Sequence, residues 1–328
     1  MTSAPLHKKN SSEERILLVG AGGMAEDYVK VLSGLHKEFT IVGRSATSAE
    51  RCEKKTGRTV FVGGLSSFLS QNQQVFSHAI IAVGVEALYE TAQQLLDYGI
   101  KNILIEKPGA LENAQFEALL ENANKVEAEV YIAYNRRFYA SVLEAKKIIE
   151  EDGGVTSFNF EFTEWSHVIA PLEKGVGVKE KWFLGNSTHV VDLAFYLGGK
   201  PRKMTSYVAG ALSWHPSGSI FCGAGESEKG ALFSYQANWE SAGRWSVEML
   251  TMNHRLILRP MEKLQIQKRG TINQEFVETI DYTLDDMYKP GLYRQTEHFL
   301  NGTCDALCSL KEQTEQLKMY NKIANYQE

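Results

Sequence analysis

The sequence predicts a doubly wound α/β domain followed by an α+β domain with an open, largely antiparallel sheet. Three observations support this. An apolar strand, Ile16-Leu17-Leu18-Val19, runs straight into a glycine turn; beyond it Met24, Tyr28, Val31, Leu32 and Leu35 recur at helical spacing. Strand and helix then alternate strictly as far as Ala133, as they must in a parallel sheet covered by helices on both faces. After Phe138 the period changes to two. In Phe233-Ser234-Tyr235-Gln236-Ala237-Asn238-Trp239, apolar and polar residues fall on opposite faces, which marks antiparallel strands covered on one side.

The first turn, Gly20-Ala21-Gly22-Gly23-Met24-Ala25, has the form G-x-G-x-x-A, a variant of the dinucleotide fingerprint. Gly20 makes the turn, Gly22 lets the backbone approach a pyrophosphate, and Ala25 is small enough for helix and strand to pack closely. The pyrophosphate would sit on the free N–H groups of a helix start, with Gly23 and Met24 among them. By itself the motif also serves flavoproteins, methyltransferases and short-chain reductases. The second strand, Phe39–Gly43, ends at Arg44-Ser45. NAD-binding folds place an acid about 20 residues past the glycines to bind the ribose 2′-hydroxyl. Here the first carboxylate is Glu50, and a guanidinium beside a hydroxyl suits a 2′-phosphate, so NADP(H) is favoured over NAD(H). The competing reading is that Arg44 merely stacks on the adenine or points into solvent.

Thr59–Val62 reads as a short strand and Ser66–Gln71 as a helix. His78–Val83 is a continuous apolar run, expected of a strand buried on both faces, and Val83-Gly84 turns into a helix through Leu88 and Leu95. Asn102–Ile105 is the next strand, followed at once by Glu106-Lys107-Pro108. A helix through Phe116 and Leu119 and a strand at Val130–Ala133 complete the set. Ligands of such sheets bind beyond the carboxyl ends of the strands, which puts Gly20, Arg44, Val83 and Glu106 on one edge. A helix at Ala140–Glu150 leads into strands at Ser157–Phe162, Met204–Gly210, Ser219–Gly223, Ala231–Trp239, Trp245–Leu250, Leu256–Leu258, Leu264–Gln267 and Phe276–Ile280. Helices at Pro290–Asn301 and Lys311–Gln327 close the chain. The expected division is a disordered tail over 1–15, a dinucleotide domain over 16–135, and a substrate and oligomerisation domain over 136–328 whose last helix packs back on the first domain.

Length and charge narrow the function. A chain of 328 residues suits two domains of ~100–200 residues each. Net charge is −5 with no dense basic run, which argues against nucleic acid or an anionic membrane as partner. The tail lacks the apolar core of a secretory signal, and no apolar run approaches the ~20 residues of a bilayer span. Cys52, Cys222, Cys304 and Cys308 are too scattered for a disulfide framework, so reduced thiols in a cytoplasmic protein are expected. No His, Asp or Glu cluster has metal-ligand spacing, so no metal is expected.

Lys107 is the sharpest chemical candidate. It follows a buried parallel strand, and Pro108 denies a helical continuation. Partial burial beside a positive nicotinamide would lower its pKa and let it exchange a proton with a substrate hydroxyl. By periodicity alone a surface lysine paired with Glu106 is equally good.

Glu106-Lys107-Pro108 and Tyr134-Asn135-Arg136-Arg137-Phe138, following the glycine turn, make the chain resemble the Gfo/Idh/MocA family of NAD(P)-dependent oxidoreductases. Further matches are His189-Val190-Val191-Asp192 ahead of Leu197-Gly198-Gly199, and Tyr293-Arg294-Gln295 before Phe299-Leu300-Asn301-Gly302. The resemblance covers the chain beyond the tail. It implies hydride transfer between nicotinamide and a hydroxyl or keto carbon of a sugar, polyol or nucleotide-linked sugar, and a homodimer or homotetramer formed through the second sheet. It also implies that Lys107 is the active-site lysine, that Glu106 and Pro108 shape the nicotinamide pocket, and that Asn135 and Arg136 lie beneath the cofactor. Trp182 would flank the nicotinamide, and His189 would do acid/base or orienting work. A satisfied core histidine is the competing reading of His189. Asp192 could orient it or be a solvated carboxylate. Four residues before His189, where the family usually has Asp, stands Gly185. Asn186 is a neutral neighbour that could touch substrate but does not replace a charge. Two rival functions remain: a glycoside-cleaving enzyme that retains its NAD, and a non-catalytic dinucleotide sensor. The loops Thr163–Lys181 and Ala211–Ser217 are expected to select the substrate.

Overall fold

The computed structural model describes residues 15–327; apart from Arg15, the expected tail lies outside them. Two sheets organise the chain. The first is assembled from β1 (Ile16–Val19), β2 (Phe39–Gly43), β3 (Val60–Val62), β4 (His78–Ile81), β5 (Asn102–Glu106) and β6 (Glu129–Ala133). Its parallel strands lie in the order β6-β5-β4-β1-β2-β3, the doubly wound arrangement. The intervening helices are α1 (Gly23–Gly34), α2 (Ala46–Thr56), α3 (Gly64–Gln71), α4 (Leu88–Tyr98) and α5 (Asn113–Lys125). Because neighbouring side chains point to opposite faces, Leu17, Ala79, Ile81, Ile103 and Ile105 enter one buried cluster. Ile16, Leu18, Ile80 and Leu104 enter the other.

Beyond β6 a 3₁₀ turn, Asn135–Phe138, leads to α6 (Ala140–Glu151), β7 (Ser157–Glu161), the one-turn α7 (Ser166–Ile169) and α8 (Thr188–Gly198). The strands β8 (Pro201–Ala209), β9 (Ile220–Ser227), β10 (Leu232–Asn238), β11 (Ser246–Leu250), β12 (His254–Leu258), β13 (Gln265–Lys268) and β14 (Glu275–Phe276) follow. They form an eight-stranded sheet with β7 in the order β14-β13-β12-β11-β7-β10-β9-β8. It is antiparallel except where β7 meets β10. Phe158, Phe160, Phe233, Tyr235, Val247 and Met249 turn one face onto α8, while Tyr207, Ile220 and Leu232 are exposed. The expected strand at Phe276–Ile280 shortens to β14, because only Glu275 and Phe276 find partners on β13.

The C-terminal elements return to the first sheet. After α9 (Thr283–Met287) and α10 (Leu292–Asn301), β15 (Cys308–Ser309) adds an antiparallel seventh strand beside β6, and α11 (Leu310–Ala324) lies against α5 and β6. A buried ion pair ties these parts together. Arg137 donates to Asp192 through Nε (2.8 Å) and Nη2 (2.5 Å), and Nη2 also reaches Glu312 of α11 at 3.0 Å. Asp192 is therefore neither a solvated carboxylate nor the partner of His189, as the sequence allowed; Arg137, equally buried, claims both its oxygens. The four cysteines are free. Among the described residues no helix is long and apolar enough to cross a membrane.

Candidate active site

Gly20, Gly22, Gly23, Met24, Arg44, Ser45, Val83 and Gly84 line one groove of about 660 Å³ along the carboxyl edge of the first sheet. Gly20 is glycine for internal reasons: its φ is +132°, and a Cβ there would fall 2.2 Å from the Ala82 carbonyl oxygen. Gly22 and Gly23 are different. A Cβ on either meets no atom within 4 Å, so nothing in the folded chain demands glycine there. The first bond of α1 runs from the Glu26 N–H to the Gly22 carbonyl at 3.0 Å, which leaves the amides of Gly23, Met24 and Ala25 outside the helical ladder. An open cradle of bare backbone at a helix start fits a pyrophosphate. Ala25 itself is fully buried where α1 meets the sheet. At the far end of the groove Arg44 is exposed, and the first turn of α2 carries no acid. Ser45 caps α2, its Oγ accepting from the Ser48 N–H.

Lys107 lies immediately past β5, joined to Pro108 by a cis peptide. Beneath it Gln295 of α10 donates to the Tyr28 hydroxyl (3.3 Å), and that hydroxyl donates to Glu106 Oε1 at 2.8 Å. The Tyr-Arg-Gln stretch thus braces the site floor from a distant part of the chain. Gln313 of α11 holds the Pro108 carbonyl oxygen at 3.1 Å. Burial lowers the Lys107 pKa from 10.5 to about 7. Arg136 and Lys289 push the same way, against Glu106 and Glu164. Burial also raises the carboxyl of Glu106.

His189 is buried in α8, its ring 5.8 Å from that of Tyr134 and 6.4 Å from that of Trp245, with no hydrogen-bond partner at Nδ1. Burial, then Arg136, Lys107 and Lys289, hold it well below the usual histidine range, so the imidazole is neutral at neutral pH. Its helix begins with a π turn, Phe183–Ser187, that includes Gly185. Asn186 is committed within the protein: its amide donates to Glu164 Oε1 at 2.9 Å, beside Ser187 Oγ at 2.8 Å.

Arg136 and Arg244 sit at 4.8 Å from the Trp245 ring, and neither makes an ion pair among the described residues. Among the described residues the Nε of Arg136 has no hydrogen-bond partner. Asn135 donates to the Pro290 carbonyl oxygen at 2.9 Å and so pins the loop that carries Lys289, whose Nζ lies 2.8 Å from Met24 Sδ over the glycine turn. Trp182 packs edge-on against Trp214 at 6.1 Å, where the two loops expected to select substrate meet. The first of these loops also reaches the groove: a Cβ on Gly175 would lie 2.8 Å from the Glu86 carboxyl carbon. Of these groups, Lys289, Arg244 and Glu164 could not be picked out from the sequence. Glu164 did leave a signal. It continues the inward face of Phe158, Phe160 and Phe162, and a carboxylate on a buried apolar face calls for a partner. Among the described residues no three His, Cys, Asp or Glu side chains gather to hold a metal ion.

Residues 14–134 match the profile of GFO_IDH_MocA, an oxidoreductase family with an NAD-binding Rossmann fold. No curated protein matches the chain in sequence. Solved structures share its fold over nearly the full length. Levoglucosan dehydrogenase in complex with NADH superposes with a TM-score of 0.75 at 18% identity, covering 95% of this chain and 96% of that one. UDP-N-acetylglucosamine 3-dehydrogenase GnnA from Acidithiobacillus ferrooxidans gives 0.72 at 14%, covering 94% and 96%. The WlbA dehydrogenase from Bordetella pertussis, in complex with NADH and UDP-GlcNAcA, gives 0.71 at 17%, covering 95% and 96%.

Proposed function

We propose, from the membership of residues 14–134 in the Gfo/Idh/MocA family of NAD-binding oxidoreductases, that the protein transfers hydride to or from a hydroxyl-bearing carbon of a sugar, polyol or nucleotide-linked sugar. The observation that carries this is Lys107: a partly buried amine with a pKa of about 7, immediately past the carboxyl end of β5. Gly22, Gly23 and Met24 would hold the pyrophosphate of the dinucleotide, with Glu106, Pro108 and Trp182 about its nicotinamide end. When bound, the nicotinamide supplies the hydride acceptor or donor. In the oxidative direction neutral Lys107 takes the hydroxyl proton; in the reductive direction its ammonium form returns it. His189, neutral and buried, orients the substrate oxygen rather than storing the proton.

Two finer points follow the charges. Arg44, with no acid beside it, favours NADP(H), because a guanidinium meets a 2′-phosphate and a carboxylate would repel it. Arg136 and Arg244, stacked by Trp245 and with no carboxylate at ion-pair distance among the described residues, favour a sugar that carries a carboxylate or phosphate. The exposed Tyr207, Ile220 and Leu232 on the outer face of the second sheet suit a homodimer or homotetramer. The deciding experiment is a tryptophan-fluorescence titration with NADPH and NADH, followed by a turnover screen on neutral, acidic and nucleotide-linked sugars. NADPH should bind more tightly, and Arg44→Ala should remove that preference, a loss of about tenfold or more. Tighter NADH binding would overturn the cofactor assignment. A tightly retained NAD with no net absorbance change would instead indicate glycoside cleavage, and binding without turnover on any sugar would indicate a sensor.

A further inference from the structure

We infer that Glu164 is the positioning carboxylate of this site, held by Asn186 and Ser187 so that its charge faces Lys107; this rests on the oxidoreductase reading for its purpose. Only 2% of Glu164 is exposed, and a carboxylate in that position is costly unless it is held by hydrogen bonds or paired. Both of its hydrogen bonds, 2.9 Å from Asn186 Nδ2 and 2.8 Å from Ser187 Oγ, end on Oε1. Among the described residues none reaches Oε2, and no cation stands within ion-pair distance of the group. The carboxylate is therefore fixed in place yet not consumed. Burial raises its carboxyl above the usual carboxylate range; the hydrogen bonds from Ser187 and Asn186, then the cations Arg244 and Lys107, pull it back toward the charged form, and it acts in turn on Arg136.

Both clasping side chains belong to the π turn immediately before His189, the run in which Gly185 stands where a carboxylate was expected. The turn that lacks its own acid thus holds one delivered by the end of β7, 22 and 23 residues earlier in the chain. The charged and titratable groups around Lys107 come from five directions: Glu106 beside it, Arg136 on the 3₁₀ turn, His189 on α8, Lys289 on the loop before α10, and Glu164. Glu106 is engaged by Tyr28. Lys289 is paired with Asp27 at 3.6 Å, so the cation that Glu164 is left to offset beside Lys107 is Arg136, on which Glu262 also acts.

The test reads Lys107 directly, without sugar or cofactor. The full-length protein is labelled competitively with fluorodinitrobenzene across the neutral range, and the Lys107 peptide is quantified by mass spectrometry. The wild-type profile should inflect near 7. Glu164→Gln keeps the shape and the Oε1 acceptor but removes the charge. It should move the inflection to lower pH, a loss of roughly tenfold in proton affinity. Glu164→Asp, which keeps the charge, should restore most of it. Asn186→Ala, a change at a partly buried position that unlocks the carboxylate, should give a smaller shift of the same sign and keeps the test open if Glu164→Gln fails to fold. A folded Glu164→Gln with the wild-type inflection would refute the role, as would an Asp variant that behaves like Gln. If the inflection responds while no sugar is turned over, the oxidoreductase reading falls and the placement of Glu164 stands. Turnover with an unmoved inflection overturns the placement and leaves the oxidoreductase reading intact.

Discussion

The pH dependence of turnover follows from the environment of Lys107. An ordinary lysine at 10.5 is almost wholly charged at pH 7, whereas one at about 7 is half neutral. The gain in available base is on the order of a thousandfold. Oxidation needs the neutral amine, so kcat/KM for a sugar alcohol should rise about tenfold per pH unit below 7 and level off above it. Reduction needs the ammonium and should show the mirror image, falling as pH rises past 7. Lys107→Ala should lower kcat by ~10²–10⁴-fold in both directions while leaving the dinucleotide Kd within a few-fold, because proton transfer rather than cofactor binding is lost. The assay is steady-state nicotinamide absorbance on the sugar returned by the screen, with cofactor affinity measured separately by fluorescence. An inflection at 9 or above, or an alanine variant with near-normal turnover, would refute the assignment of Lys107 as the proton carrier.

The two kinds of glycine in the first turn should separate cleanly. Gly22→Val, whose Cβ meets no atom within 4 Å, should leave stability within about 0.5 kcal/mol and weaken NADPH at least about tenfold; unchanged affinity would mean the cradle holds nothing. Gly20→Ala should cost ~1–3 kcal/mol in urea unfolding, because it combines φ +132° with a 2.2 Å approach to the Ala82 carbonyl oxygen. Arg137→Met should destabilise by about 3–5 kcal/mol by leaving Asp192 buried and unpaired, and adding Asp192→Leu should recover most of that; a single-variant loss below about 1 kcal/mol would refute the coupling.

How much of this was legible depended on whether the cause was local. Gly20, Arg44 and Lys107 follow strands whose apolar runs are continuous, so their common edge could be read from periodicity and the geometry of parallel sheets. The two-residue period likewise announced β7 to β13. What escaped is held together across the chain. Asp192 looked free because its partner, Arg137, is 55 residues away and in a turn with no period. β15 is only two residues long, too short for any pattern, and owes its existence to the edge that β6 exposes. Lys289 is placed by a loop that Asn135 fixes from 155 residues away in sequence. The Gly185 departure was visible, but its counterpart at Glu164 required knowing that a π turn re-aims Asn186 and Ser187 toward the end of β7.

The cost of burial also bears on the choice between an enzyme and a sensor. Holding a dinucleotide requires the groove from Gly20 to Gly84 and nothing below it. Yet the chain buries Lys107 until its proton is half lost, encloses His189 with Nδ1 unpartnered, and leaves Arg136 Nε without an acceptor. The unpartnered His189 and Arg136 nitrogens each destabilise the fold relative to an apolar group, by ~1–3 kcal/mol for an unsatisfied buried polar group. None braces the glycine turn; that work falls to Ala82, Ala25 and the sheet beneath. Features that cost stability and support nothing around them are expected where chemistry is done. A sensor descended from such an enzyme would have been free to replace Lys107, His189 and Glu164 with well-packed apolar residues. Their joint presence favours turnover, and it predicts that His189→Leu, which removes a buried nitrogen with no hydrogen-bond partner, will lower activity yet melt no lower than the wild type.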